Sequence, residues 1–199
     1  VADTEYVTLA DLRDALKVPD DDTERDNLLG KALRSACRSI DRATGRRFYL
    51  DDTATARTYR PDGRTVMTDS GEKLIIDDIG DTAGLLVETG SGGSWSTVTG
   101  WETAPDNALV RGRPVEALLL PAGSWGCGTA RVRVTARWGW PAVPDDIAQA
   151  ALTQAMRLYR RKDSPEGVTG SAEWGVVRLS RRDPDVWALL EHFILPGFG

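Results

Sequence analysis

The groups able to do chemistry in this sequence are few and scattered. His192 is the single histidine, so a general base near neutral pH, a histidine-activated nucleophile or a histidine metal site would rest on one imidazole. It falls in a helical pattern near the C-terminal end and reads as a surface or partly packed side chain. Asp20, Asp21 and Asp22 make a run of carboxylates. The glycine and the distal glutamate of a calcium loop are not at the required positions, so these acids read as loop and helix-start residues. The glycines of GSGGSW and GSWGCG lack the strand-to-helix setting and the Lys-Ser/Thr of a phosphate cradle, and read as hairpin turns. Cys37 sits within a helical pattern and Cys127 in a glycine-rich stretch, which disfavours a disulfide between them. The expectation is a protein that is not an enzyme and uses no cofactor or metal.

What remains conspicuous is cationic and aromatic. In RVRVTARWGWPAVPDDIAQA, residues 131–150, Arg131, Arg133 and Arg137 alternate with Val132, Val134, Ala136 and Trp138. A strand with that alternation puts the apolar set in a core and the arginines on the opposite face. Arg34, Arg38 and Arg42 recur every four residues along a helical pattern, as a solvated face or one paired with acids of a neighbour. The chain as a whole carries a formal net charge of −5 and a pI near 5.0, so no global electrostatic footprint for holding phosphates exists. A DNA-binding regulatory or packaging protein would need Arg34, Arg38, Arg42, Arg157, Arg160 and Arg161 gathered on one outward face. Trp138 and Trp140 flank Gly139 and could stack on bases; with an acidic chain they read instead as core or interface packing.

The elements that position these groups divide into helical ends and a strand-rich middle. VTLADLRDALKV predicts a short helix capped by Thr8 with Asp11 completing a capping box, Val7 and Leu12 being spaced as a staple, and ending before Pro19. DDDTERDNLLGKALRSACRSIDRATG predicts a longer helix closing at Gly45, with Leu29, Leu33, Ala36 and Ile40 as its buried stripe and Leu28, Ala32 and Cys37 beside it. Between 46 and 140, short alternating segments broken by turn residues predict strands over 54–60, 65–68, 73–77, 85–89, 95–99, 115–120 and 129–138, in a small antiparallel sandwich or barrel. A third helix starts near Asp145, with Ile147, Ala148, Ala151, Leu152, Ala155, Met156 and Tyr159 on its apolar face. A last one starts at Asp183-Pro184-Asp185 and carries Val186, Leu189, Leu190 and Phe193. The reading is an α+β protein: a small helical bundle from both chain ends, 1–48 plus 139–199, with an inserted antiparallel β domain, 49–138. No apolar run is long enough to cross a bilayer and the start, VADTEYVTLADLRD, lacks the regions of a signal peptide. No membrane association is expected.

The order YVTLADLRDAL, DDTERDNLLGKALRSACRSIDRATGRRFY, a β insertion, RVTARWGWPAVPDDIAQAALTQAMRLYRRKDSPEGV and EWGVVRLSRRDPDVWALLEHF resembles the head-to-tail connector, or adaptor, proteins of tailed double-stranded-DNA bacteriophages. The resemblance covers both helical ends and is most specific at WGWPAVPDDI and at RRKDSPEGV followed by RRDPDV; the insertion does not contribute. It implies a structural role without catalysis: a ring, commonly dodecameric, beneath the portal protein, joining it to the next neck or tail-completion protein in the virion and assembled in the host cytoplasm. Double-stranded DNA would pass through the ring without sequence-specific binding. An acidic subunit suits a conduit, because phosphate contacts repeated around a ring would hold DNA that must move. On this reading the arginines of 131–137 serve contacts with neighbouring subunits or face water.

Residues 164–182, SPEGVTGSAEWGVVRLSRR, join the last two helices over a longer stretch than the roughly 2–8 residues usual between packed helices. Trp174, Val176, Val177 and Leu179 are costly to leave in water, and Arg178, Arg181 and Arg182 can set docking orientation. The segment reads as an arm whose extended strand adds to a neighbouring subunit; the alternative is a loop folded back over its own core.

Overall fold

A computed structural model of the chain describes residues 4–19, 21–161, 168–169, 177–178 and 183–195, with only the backbone at 168–169 and 177–178. The chain divides into two compact units, one of residues 47–142 and one of 3–46 with 143–199. The fold is α+β, with four α-helices and a seven-stranded antiparallel sheet.

In the helical unit, each helix begins and ends where local chemistry dictates. Helix α1, Leu9–Leu16, is capped by Thr8, whose hydroxyl accepts from the Asp11 N–H while the Asp11 carboxylate accepts from the Thr8 N–H. Helix α2, Asp26–Thr44, stops at Gly45, whose φ of 72° is the left-handed conformation that closes a helix. Helix α3, Asp145–Arg160, starts after Pro144, and α4, Pro184–Leu190, is capped by the Asp183 carboxylate. The four pack on one another, α2 against α1, α3 and α4, and α3 against α1 and α4. Leu29, Leu33, Ala36 and Ile40 are buried together with Ala32 and Cys37. Leu28 is not part of this stripe: it lies in the first turn of α2 and is 42% exposed. On α3 the buried face is Ile147, Ala150, Ala151, Ala155 and Tyr159. Ala150 is fully buried and Ala148, expected on the apolar face, is only half-buried.

The β unit is built on one strand. The strands are β1 Thr55–Tyr59, β2 Thr65–Thr68, β3 Gly71–Ser91, β4 Ser94–Thr97, β5 Glu102–Ala104, β6 Val115–Leu120 and β7 Arg131–Trp138. They form a single open sheet of order β1-β7-β3-β6-β5, with β2 and β4 also paired to β3. The segments expected as separate strands, 73–77 and 85–89, are the two ends of the 21-residue β3, and β5 was not anticipated. The expected sandwich or barrel is therefore replaced by a sheet with a shared spine. The first half of β3 lies between β2 and β6, and the second half between β7 and β4. Register shifts between Ile75 and Ile79 and between Asp81 and Leu86 keep the strand paired while it turns. They also move the inward side chains from even positions, Glu72, Leu74 and Ile76, to odd ones, Ile79 and Val87. Both halves then contribute to one core, with Leu74, Leu118, Val132, Val134, Trp125 and Trp138 among its members.

Candidate functional site

The catalytic groups that the sequence offers stay dispersed. The His192 side chain is 81% exposed beside Glu191. Asp22 pairs with Arg25 at 3.0 Å as a helix-start contact, and among the described residues no group of three metal-ligating side chains occurs. Cys37 is buried and Cys127 exposed, both as free thiols. Burial raises the Cys37 thiol above its ordinary value, which leaves it a poor nucleophile. Gly92 and Gly93 form the turn between β3 and β4, as a hairpin reading requires, whereas GSWGCG joins β6 to β7, which lie on either side of β3 and form no hairpin.

The arginines of β7 do face away from the core, and each is engaged inside the β unit while remaining partly exposed. Arg133 forms a two-point bond with Glu88 across the β3–β7 pair, at 2.7 and 2.8 Å, and lies over the Trp95 ring with its guanidinium carbon 4.3 Å from the centroid. Those hydrogen bonds hold the Glu88 carboxyl below its usual range and raise Arg133. Arg137 donates to Asp81 at 2.9 Å and to the Asp51 carbonyl at 3.1 Å. Asp81 is also depressed, chiefly by the Ala83 N–H. Arg131 caps the carbonyl of Ala130 at 2.7 Å. From the adjacent β1, Arg57 lies 4.3 Å over Trp138 and donates to Asp77 at 2.7 Å. A guanidinium stacked on a ring and locked to a carboxylate is a strut between strands. It has little left to offer a phosphate.

Trp138 and Trp140 are buried, so they form no stacking platform. Trp138 donates to the Thr55 carbonyl at 2.8 Å, and Trp140 donates to Asp78 at 3.0 Å while packing against Phe48 at 5.2 Å. Gly139 between them has φ 110°, and a Cβ there would stand 1.8 Å from the Tyr49 carbonyl oxygen. The glycine lets the chain leaving the sheet pass against the chain entering it.

In the helical unit, the basic face required of a DNA binder is broken up. Arg34 pairs with Glu5 at 3.5 Å, Arg38 with Asp41 at 3.0 Å and with the Thr4 carbonyl at 2.7 Å, and Arg157 with Asp183 at 2.6 Å. Arg42, Arg160 and Arg161 are exposed. No acids of another chain are needed to account for the first three.

Of the arm residues, Trp174, Val176, Leu179, Arg181 and Arg182 lie outside the described residues. Val177 and Arg178 are described as backbone only, in the two-residue strand β9, which pairs with β8, Val168–Thr169, of the same chain. Sequence reasoning did not single out the most exposed large apolar side chains among the described residues, Val110 at 88% and Met67 at 73%. Val110 belongs to a short turn of 3-10 helix, Leu109–Arg111, between β5 and β6, and borders an open groove of about 400 Å³ with Leu85, Trp101, Asn107, Leu109 and Val115. The signal available was an apolar residue set between polar turn residues, in NALVRGR and RTVMTDS.

No family model matches the chain, and no curated protein does. Among solved structures it is similar to a chain of the neck of an empty gene transfer agent (GTA) particle computed with C6 symmetry, with a TM-score of 0.56 and 19% identity over 96% of this chain and 91% of that one. It is also similar to a chain of the virion of a native gene transfer agent particle, with a TM-score of 0.54 and 20% identity over 98% of this chain and 94% of that one. At such identities the likeness is one of fold, and in fold this chain is like a chain of the neck of a gene transfer agent particle.

Proposed function

We propose that this protein is a structural component of the neck of a tailed-phage-like particle. It forms a ring beneath the portal, joins the capsid to the next neck or tail-completion protein, and lets double-stranded DNA pass. The observation that carries the reading is the fold likeness to a neck chain across nearly the whole length of both chains. The neighbour's neck was computed with C6 symmetry, and a dodecameric ring is one assembly that contains that symmetry. The charge distribution supports a conduit, since the net charge is −5 and the arginines of β7 are consumed by carboxylates and carbonyls of their own unit. On this reading the protein belongs to the virion and is assembled in the host cytoplasm.

The test is to mix the protein with purified portal and image the product by electron microscopy. An added ring of density at one end of the portal is expected; its absence under assembly conditions sinks the reading. Short duplex DNA at physiological salt separates the regulatory alternative, because a sub-micromolar, sequence-selective complex would require a free basic face.

A further inference from the structure

The two most exposed large apolar side chains among the described residues lie diagonally across the β unit. In its first half the sheet runs β2-β3-β6-β5, so β2, which carries Met67, and β5, which leads into the Val110 turn, are opposite edges. Along the strands, Met67 is paired with Glu72 and Glu72 with Leu120, level with the end of β6. The Val110 turn precedes the start of β6 at Val115. Met67 is therefore level with one end of β6, and the Val110 turn leads into the other end, about 17 Å away along that strand. Placed on opposite edges, they are free to meet between two chains.

Their chemistry is complementary. Met67 projects from an edge strand at the tip of a hairpin, with 66 also 49% exposed as Val66. The groove beside Val110 offers Trp101, Leu109, Leu85 and Val115 around about 400 Å³, a space suited to an unbranched, polarisable side chain with an aromatic ring at hand. The Trp101 indole N–H is already satisfied by the Val98 carbonyl at 3.0 Å, so its ring can be covered without stranding a donor. Arg111 and Arg113 follow Val110 and are exposed, with no ion-pair partner among the described residues; Asp69 follows Met67 in the same condition. Lys73 stands across from Val66, on the other side of β2 from Met67.

We propose that the groove bordered by Trp101 and Val110 receives the Met67 hairpin of a second copy of this chain, in a head-to-tail contact. Because the knob and the groove are different surfaces, each copy uses one of each, and the contact repeats until rotation closes it. The pairing of Asp69 with Arg111 and Arg113 fixes the orientation and excludes groove-to-groove association, where arginines would meet. This contact deepens the ring reading and rests on it.

The full-length protein tests it with Cys127→Ser as background, Ser70→Cys in one preparation and Asp106→Cys in another, both exposed positions beside the knob and the groove. Treated with a short bismaleimide, the mixture is expected to give about tenfold more 70–106 dimer than either homodimer, and the double variant a ladder of multimers. Met67→Asp lowers the yield about tenfold and Met67→Leu retains it; Asp69→Arg lowers it and Arg111→Glu on the partner restores it. Homodimers in equal yield, or no dimer at the highest soluble concentration, overturn the proposal. A ladder from a protein that adds no density to the portal would keep the contact and remove the neck reading; added density without a ladder would do the reverse.

Discussion

The two units hold their polar groups by different means. In the helical unit, the ends of elements are closed by residues two to four positions away: Thr8 with Asp11, Asp183 with the N–H groups of Asp185 and Val186, and Gly45 with the Asp41 carbonyl. In the β unit the comparable bonds join residues far apart in the chain: Arg57 to Asp77, Arg133 to Glu88, Trp125 to Glu72 and Trp140 to Asp78. A helix closes its own hydrogen bonds and needs help only at its ends. A strand has no partner until the register is chosen, so its side chains are what select the neighbour. The helix ends are therefore specified piece by piece, and the β unit all at once.

That contrast can be broken most severely at Gly139. Gly139→Ala places a Cβ against the Tyr49 carbonyl at a left-handed φ, and should cost more than about 3 kcal/mol. It should appear in urea titration as a loss of the fluorescence transition of the tryptophans of the β unit, with the far-ultraviolet helical signal retained. Equal loss of both signals would show that the two units fold as one.

Next in size is Leu33→Ala, which empties a fully buried position of the α2 stripe and should cost about 3 kcal/mol. Leu28→Ala, in the exposed first turn, should stay within about 0.5 kcal/mol. A similar cost at both sites would refute the assignment of the buried stripe. Smaller again is Thr8→Ala, which removes the cap of α1 for a loss of about 1 kcal/mol; hydrogen exchange should rise at the first turn of α1 and leave the β unit untouched.

The mildest tests read protonation. Asp11 is held below its ordinary value first by the Thr8 hydroxyl, and Glu88 first by the Arg133 guanidinium. Both carboxyls are depressed in the folded state, so what they add to stability is present at neutral pH. It begins to fade as pH falls below the ordinary values of 3.8 and 4.5 and is gone below the depressed ones. Carbon-detected NMR titration should show Thr8→Ala raising Asp11 and leaving Glu88 alone, and Arg133→Gln doing the opposite. Crossed effects would mean that the local and long-range systems are coupled.

The sequence by itself determined the start of α1, the end of α2 and the start of α4, because Thr8, Asp11, Gly45 and Asp183 act on backbone groups within a few residues and need no partner element; it put the start of α2 at the acids 20–22, whereas that helix begins at Asp26 with no side-chain cap. It also determined that Val132, Val134, Ala136 and Trp138 turn one way and Arg131, Arg133 and Arg137 the other, since a strand alternates whatever lies beside it. Tertiary structure alone decided that 73–77 and 85–89 are one strand, because the residues between them read as a turn until β6 and β7 are there to keep a bulged β3 paired through it. It alone decided the fate of the arginines as well. Glu88 is 45 residues before Arg133 and Asp81 is 56 before Arg137, and nothing in the local sequence of β7 distinguishes a guanidinium destined for those carboxylates from one left for water or a neighbour. Long-range pairing depends on the register of the whole sheet, which no segment carries within itself.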